Sequence, residues 1–371
     1  MLGPISYTYE ELLAHKAGGV PEEALEKLRC DADKILEKPI VNVTMLKMKS
    51  PSGDIHDYRS MGPYWWPNPD TPDGLPYVNR DGHVNPDSRD SFSGGTVNGN
   101  ILTLALAAFY FGDKKYAEYA ERQLYDWFLN PETRMNPNAR HAQAIPGICD
   151  GRGVGLVGFS STGSYLFDGI GILEKLGAIK EETAAGVREW YRQFTDWILT
   201  HEQGLASGND IDNHACWHDA HILGAALFTD RPMLAKRICM RNYHDITRTH
   251  VRADGAVYQE LRRTKAIGYS FYALGGILFV AGIAEKRGYK EYWSVDEDKG
   301  VCLLKKSADF LYPYVKDPAS FPFTELYPGT HESSMAELLL IVDKRFPGEG
   351  YKEKAEEFNY KAARFNLVPL K

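Results

Sequence analysis

The chain is poor in paired cysteine. Its five thiols (Cys30, Cys149, Cys216, Cys239, Cys302) stand far apart with no C-x-x-C pair. An odd, scattered set excludes a disulfide framework and predicts buried free thiols. Positive charge is in deficit, with 43 Lys and Arg against 50 Asp and Glu and a net charge of −7. That balance argues against nucleic acid as the main partner, while an anionic ligand could still be held by cations gathered in one cleft. No stretch reaches the roughly 18–20 apolar residues of a membrane span. Residues 1–12 (MLGPISYTYEEL) lack the basic and apolar regions of a signal peptide, which leaves two expectations, a cytoplasmic protein or one whose signal has been removed. Gly/Ser linkers, composition breaks and strict repeats are missing too, so one domain over residues 1–371 is expected.

What the chain does have is a large apolar fraction, 43% hydrophobic with 25% charged, enough for a sizeable core. Aromatics reach 12%, with 22 Tyr and 7 Trp, a composition that suits sugar-stacking surfaces and large cores alike. Helical periodicity dominates and strand signals are short and few. Helices are expected over 21–37, 99–111, 114–129, 163–176, 181–200, 214–228, 232–249, 266–287, 300–314, 331–345 and 351–365, separated mostly by Gly, Pro or Asn-Asp punctuation. Residues 99–111 and 114–129 should form an antiparallel hairpin. Hairpins recurring about every 40–50 residues predict an all-α toroid or solenoid. Two segments break the pattern, 47–97 and 131–162, and structureless stretches of that length are expected to be substrate loops or lids.

Three constellations could carry chemistry. In the first, Asp212-Asn213-His214, the chain enters a helix whose N-terminal dipole favours an anion. Asn213 could grip a carboxylate and leave the His214 imidazole as a base. The plainer alternative is a capping Asn beside a half-buried His. His214, His218 and His221 also fall at i, i+4 and i+7 on one helix face, a zinc-like spacing, but the Glu of H-E-x-x-H is missing. No metal or cofactor is therefore expected. The second constellation is ELRRTKAIGYSFY, where Arg262 could bind a carboxylate bidentately, with Arg263 beside it. Tyr269 and Tyr272 follow in the first turns of the next helix, and a phenol near a cation ionises more easily than its usual value of about 10. A solvated basic turn before two core tyrosines is the plain alternative. The third is SPSGDIHDYRS leading into PYWWP. Tyr58, Tyr64, Trp65 and Trp66 in an irregular loop read as a stacking platform or lid. Arg89, Arg140, His141 and Gln143 add polar groups to the same irregular regions.

The ordered set SPSGD-x-HDY, PYWWP, the Asn213-His214 pair and ELRR-x4-GY-x2-YALG resembles the alginate lyase superfamily of polysaccharide lyases. The resemblance runs over roughly 45–345. Its motif set is similar to the family-thirty-eight alginate and glucuronan lyases, and its catalytic motif to the family-five alginate lyases. It implies an (α/α) toroid, no cofactor, an anionic polysaccharide as substrate, a monomer, and a periplasmic or secreted location. It also implies catalysis by Asn213, His214, Arg262 and Tyr269, the last standing seven residues after that Arg. Ala215 departs from the polar or aromatic run that family-five enzymes carry after the His, so subsite preference does not transfer. In the implied β-elimination, Asn213, His214 and Arg262 neutralise a uronate carboxylate and Tyr269 protonates the departing O4. For mannuronate or glucuronate Tyr269 would also remove H5. For guluronate, with H5 and O4 on opposite sides, His214 would be the base.

Two other classes compete. A glycoside hydrolase would need two opposed carboxylates, for which Asp54, Asp57, Asp212, Asp219 and Glu260 are candidates. A non-catalytic glycan-binding protein would need only the aromatic platform.

Overall fold

The structure is a computed structural model describing residues 3–90 and 92–370. Ser91, inside the expected loop 47–97, and the terminal Met1, Leu2 and Lys371 lie outside the described residues. As expected, the chain is mostly helical, and its strands form two short pairs. It divides into two compact units.

The first unit comprises chiefly Leu28–Asn209 and Gly224–Pro232. The expected hairpin is present as Gly94–Phe111 and Lys114–Leu124, followed by a π-helical turn Tyr125–Leu129. Only two residues turn the corner. Gly112 sits at φ 71, a left-handed backbone that favours glycine, and Asp113 caps the next helix by accepting the Lys115 N–H. The helix starts at Gly94, five residues before the apolar run, because Ser93 and Thr96 form a capping box there. It packs on Val157–Lys175 at close range. A Cβ on Gly169 would meet the Ile101 backbone at 3.1 Å, so a small residue sets that approach. Trp127, Tyr191, Phe167, Phe194 and Phe228 fill the core, largely edge to face.

The two irregular segments are partly ordered by each other. Strand Arg59–Met61 pairs in parallel with His141–Ala144, and Trp65–Trp66 pairs antiparallel with Val78–Asn79. Both pairs are short and lie among turns, which is why alternation gave no strand signal.

The second unit comprises Ser6–Lys27, Asp210–Leu223 and Met233–Lys371. Its helix Tyr9–Ala17 was not expected from periodicity, although Thr8 and Glu11 form a complete capping box. Two helices organise the unit: Asn213–Phe228, through its first turns, and Ala266–Lys286. They touch where a Cβ on Gly276 would lie 2.9 Å from the Cys216 carbonyl and one on Gly275 would lie 3.1 Å from the Trp217 ring. By length and composition Ala266–Lys286 could cross a membrane, contrary to the reading of the sequence. Yet 67% of its apolar window is buried within the protein, as in a core helix.

Other expectations need correction. The helix expected over 351–365 ends at Ala355. Beyond it Tyr360 stacks on Phe365, and the Asn366 side chain donates to the carbonyls of Tyr360 and Lys361, closing a turn instead. The span 232–249 is a helix only to Arg241, then a π-helical turn over Asn242–Thr247. All five cysteines are free, but Cys30 is exposed and Cys149 half-buried.

Candidate active site

Asn213 opens its helix almost wholly buried, at 1% exposure. The first turn of a helix leaves backbone donors without partners. Here the partner is Glu260, itself 0% exposed, which accepts the Asn213 backbone N–H at 2.7 Å and its Nδ2 at 3.1 and 3.2 Å. Glu260 entered the sequence reading only as a possible hydrolase carboxylate. Burial pushes its carboxyl up to about 7, even though the Asn213 donors work against that.

His214 is half-buried, with Nδ1 2.6 Å from Asp212 Oδ1 and 3.3 Å from Asp210 Oδ2. Burial alone would favour the neutral ring. The two carboxylates outweigh it and push His214 up to about 9, so the imidazolium persists at neutral pH. Burial likewise opposes the Asp212 carboxylate, but His214 and Arg263 hold it below the usual range.

Arg263 joins this cluster. Its Nη1 lies 4.0 Å from Glu260 Oε2, and its guanidinium stacks 3.8 Å from the centroid of the Tyr269 ring. Arg262 ends a short 3-10 turn, Tyr258–Arg262, and is exposed. Tyr269 lies half-buried in the first turn of its helix, and Tyr272, one turn on, packs against Trp217 at 5.4 Å. Glu325 closes the start of that helix by accepting the N–H groups of Ile267 and Gly268 at 2.8 and 3.1 Å.

The remaining expected contacts belong to the other unit. Tyr58 is not available for stacking. It is 7% exposed, set edge-on against Phe159, and burial pushes its phenol up to about 12. Tyr64, Trp65 and Trp66 are half-buried, Trp66 donating to the His83 carbonyl at 2.9 Å beneath Arg80. Arg89 and Arg140 are exposed. His141 lies 3.8 Å from Asp57. Gln143 holds a left-handed backbone, φ 52, secured by its N–H to Ser60 and by its Oε1, which accepts from Arg152 at 2.9 Å. Arg152 reaches the Trp65 ring at 5.8 Å, a cation that the sequence reading did not single out.

With this geometry in hand, the sequence matches the alginate lyase family model over residues 42–321. The chain belongs to the alginate lyase family. The family member is therefore a polysaccharide lyase, which sets aside the hydrolase and the non-catalytic binding protein. A crystal structure of an alginate lyase from Bacteroides ovatus matches it at 30% identity with a TM-score of 0.92, over 100% of both chains. That match puts the lyase in the expected all-α toroid fold class. Two variants of alginate lyase A1-III complexed with tetrasaccharide share the fold more distantly. One has 12% identity and a TM-score of 0.54 over 86% of each chain, the other 13% and 0.55 over 85% of this chain and 79% of that one. Among curated protein sequences nothing matched.

The candidate zinc face is not assembled in this lyase. Among the described residues, the ligand atoms gathered within 4.8 Å of one another are those of Asp210, Asp212 and His214, not of His218 and His221. His218 lies 3.4 Å from Asp219, and burial, with His218 nearby, pushes His221 down to about 3.

Proposed function

We propose that this lyase cleaves 4-linked uronate polymers, alginate first, by β-elimination at Asn213, His214, Arg263 and Tyr269. The observation that carries the reading is the stack of Arg263 on Tyr269, 3.8 Å from the ring centroid, in the same unit as the cationic His214. A uronate carboxylate meeting Arg263, His214 and Asn213 would have its charge neutralised, making H5 removable and the aci-carboxylate tolerable. Tyr269 is then the group left to move protons at C5 and O4. Because His214 is held as a cation between Asp210 and Asp212, it serves as carboxylate binder rather than base. That arrangement favours substrates whose H5 and O4 lie on one side, poly-mannuronate or glucuronan over poly-guluronate. Arg263 takes the role that spacing assigned to Arg262. In the other unit, Tyr64, Trp65 and Trp66 remain the proposed sugar-stacking residues. A polymeric anion does not cross a bilayer, which supports a periplasmic or secreted enzyme.

The test follows the absorbance of the unsaturated product on poly-mannuronate, glucuronan and poly-guluronate. Wild type should act on at least one of the first two in preference to the third, and Tyr269→Phe should abolish product on all of them. Full activity of Tyr269→Phe, or hydrated product ends from wild type, would refute the reading.

A further inference from the structure

Glu260 is the member of the cluster that β-elimination does not require. It neither neutralises a substrate carboxylate nor suits a place beside one, since two like charges repel. It is nevertheless fully buried, with three hydrogen bonds from Asn213 and Arg263 at 4.0 Å. Taking a carboxylate out of water costs several kcal/mol before its partners offset the loss, so a buried charge is a poor means of stabilising a fold. An ordinary helix start is capped by a short side chain next to it in sequence. Asp212, the residue before this helix, already caps it in that way by accepting the His214 N–H at 3.0 Å, so Glu260, 47 residues away, is an acceptor for Asn213 beyond the ordinary cap. Asp212, Arg263 and Cys216 are the charged or titratable groups facing Glu260.

We propose that Glu260 is a positioning residue for the elimination, fixing the Asn213 carboxamide and the Arg263 guanidinium in one mutual geometry so that both meet the same uronate carboxylate. The inference rests on the catalytic reading above. One carboxylate has two oxygens, enough to accept from the backbone and side chain of Asn213 and still face Arg263. An amide of the same shape has one acceptor, and its NH2 would confront donors. A misplacement of about 1 Å at such a site costs on the order of 100-fold in rate.

Glu260→Gln is the test, measured with Asn213→Ala and the double variant on whichever polymer the wild type cleaves best. We expect kcat to fall by roughly 10- to 100-fold with KM moved less than about 3-fold, and the melting temperature moved by only a few degrees, since the loss of a buried charge offsets the mispaired amide. In the Asn213→Ala background the same change should cost less than about 2-fold, because the group it positions is missing. A merely structural role gives another pattern, in which kcat per folded molecule holds or the two losses multiply in full. Either result overturns the proposal. Should Glu260→Gln not fold, Glu260→Asp carries the same cycle, keeping the charge but drawing it back by one methylene. Failure of the catalytic reading is separable: in that case Tyr269→Phe or Asn213→Ala alone leaves full activity.

Discussion

At the scale of single residues, His214 is decided by its neighbours. Burial by itself would favour a neutral histidine, yet two carboxylates within 3.3 Å reverse the sign. Asp210 and Asp212 precede it by four and two positions, so this much was readable locally. Which of Arg262 and Arg263 meets the Tyr269 ring was not, because adjacent cations look alike in sequence and differ here in their exposure and contacts. The two make a clean comparison. Replacing Arg263 with Ala should lower kcat/KM by 100-fold or more, about 3 kcal/mol of transition-state stabilisation. The same change at exposed Arg262 should stay within about 3-fold. Steady-state rates on one polymer check both, and a reversed order would return the role to Arg262.

At the scale of elements, two helix starts carry the proposed chemistry, and each receives an acceptor from afar, Asn213 from Glu260 beside the local Asp212 cap and Ile267 from Glu325. Helix existence was legible because the apolar runs are long. Helix starts were less so: Gly94–Phe111 and Val157–Lys175 both begin five or six residues ahead of their periodic segments. The distance between the two chemistry-bearing helices is set by Gly276 against the Cys216 carbonyl. A methyl group there has nowhere to go but into backbone. Gly276→Ala should therefore cost about 1–3 kcal/mol and several degrees of melting temperature, and should lower kcat as Tyr269 is pushed from Asn213. Calorimetry with steady-state kinetics tests this; an unchanged melting point would mean the helices part without strain.

At the scale of the whole molecule, stability should depend on pH with a definite sign. His214 is raised from 6.5 to about 9, so its contribution is complete below pH 6.5 and lost as pH rises through 9. Glu260 is raised from 4.5 to about 7, so its contribution is lost as pH rises through 7. Both shifts make the fold less stable toward alkaline pH. For His214 the loss between 6.5 and 9 is on the order of 3 kcal/mol. Denaturant midpoints at pH 6 and 9 should differ in wild type, and His214→Gln should narrow the gap; an equal gap in both would show that the pair is not coupled to folding. The net charge of −7 foretold none of this, because an anion site depends on which cations converge and not on their sum. Sequence alone determined the all-α class, the hairpin at 94–124 and the helices that begin near Asn213 and Tyr269, since periodicity and local motif order are written residue by residue. Only the tertiary structure decided that Arg263 stacks on Tyr269, that Tyr58 is core, and that a distant Glu260 holds Asn213. The last two depend on segments far apart in sequence being packed together, and the first on how the chain turns between Arg263 and Tyr269; no spacing along the chain encodes either.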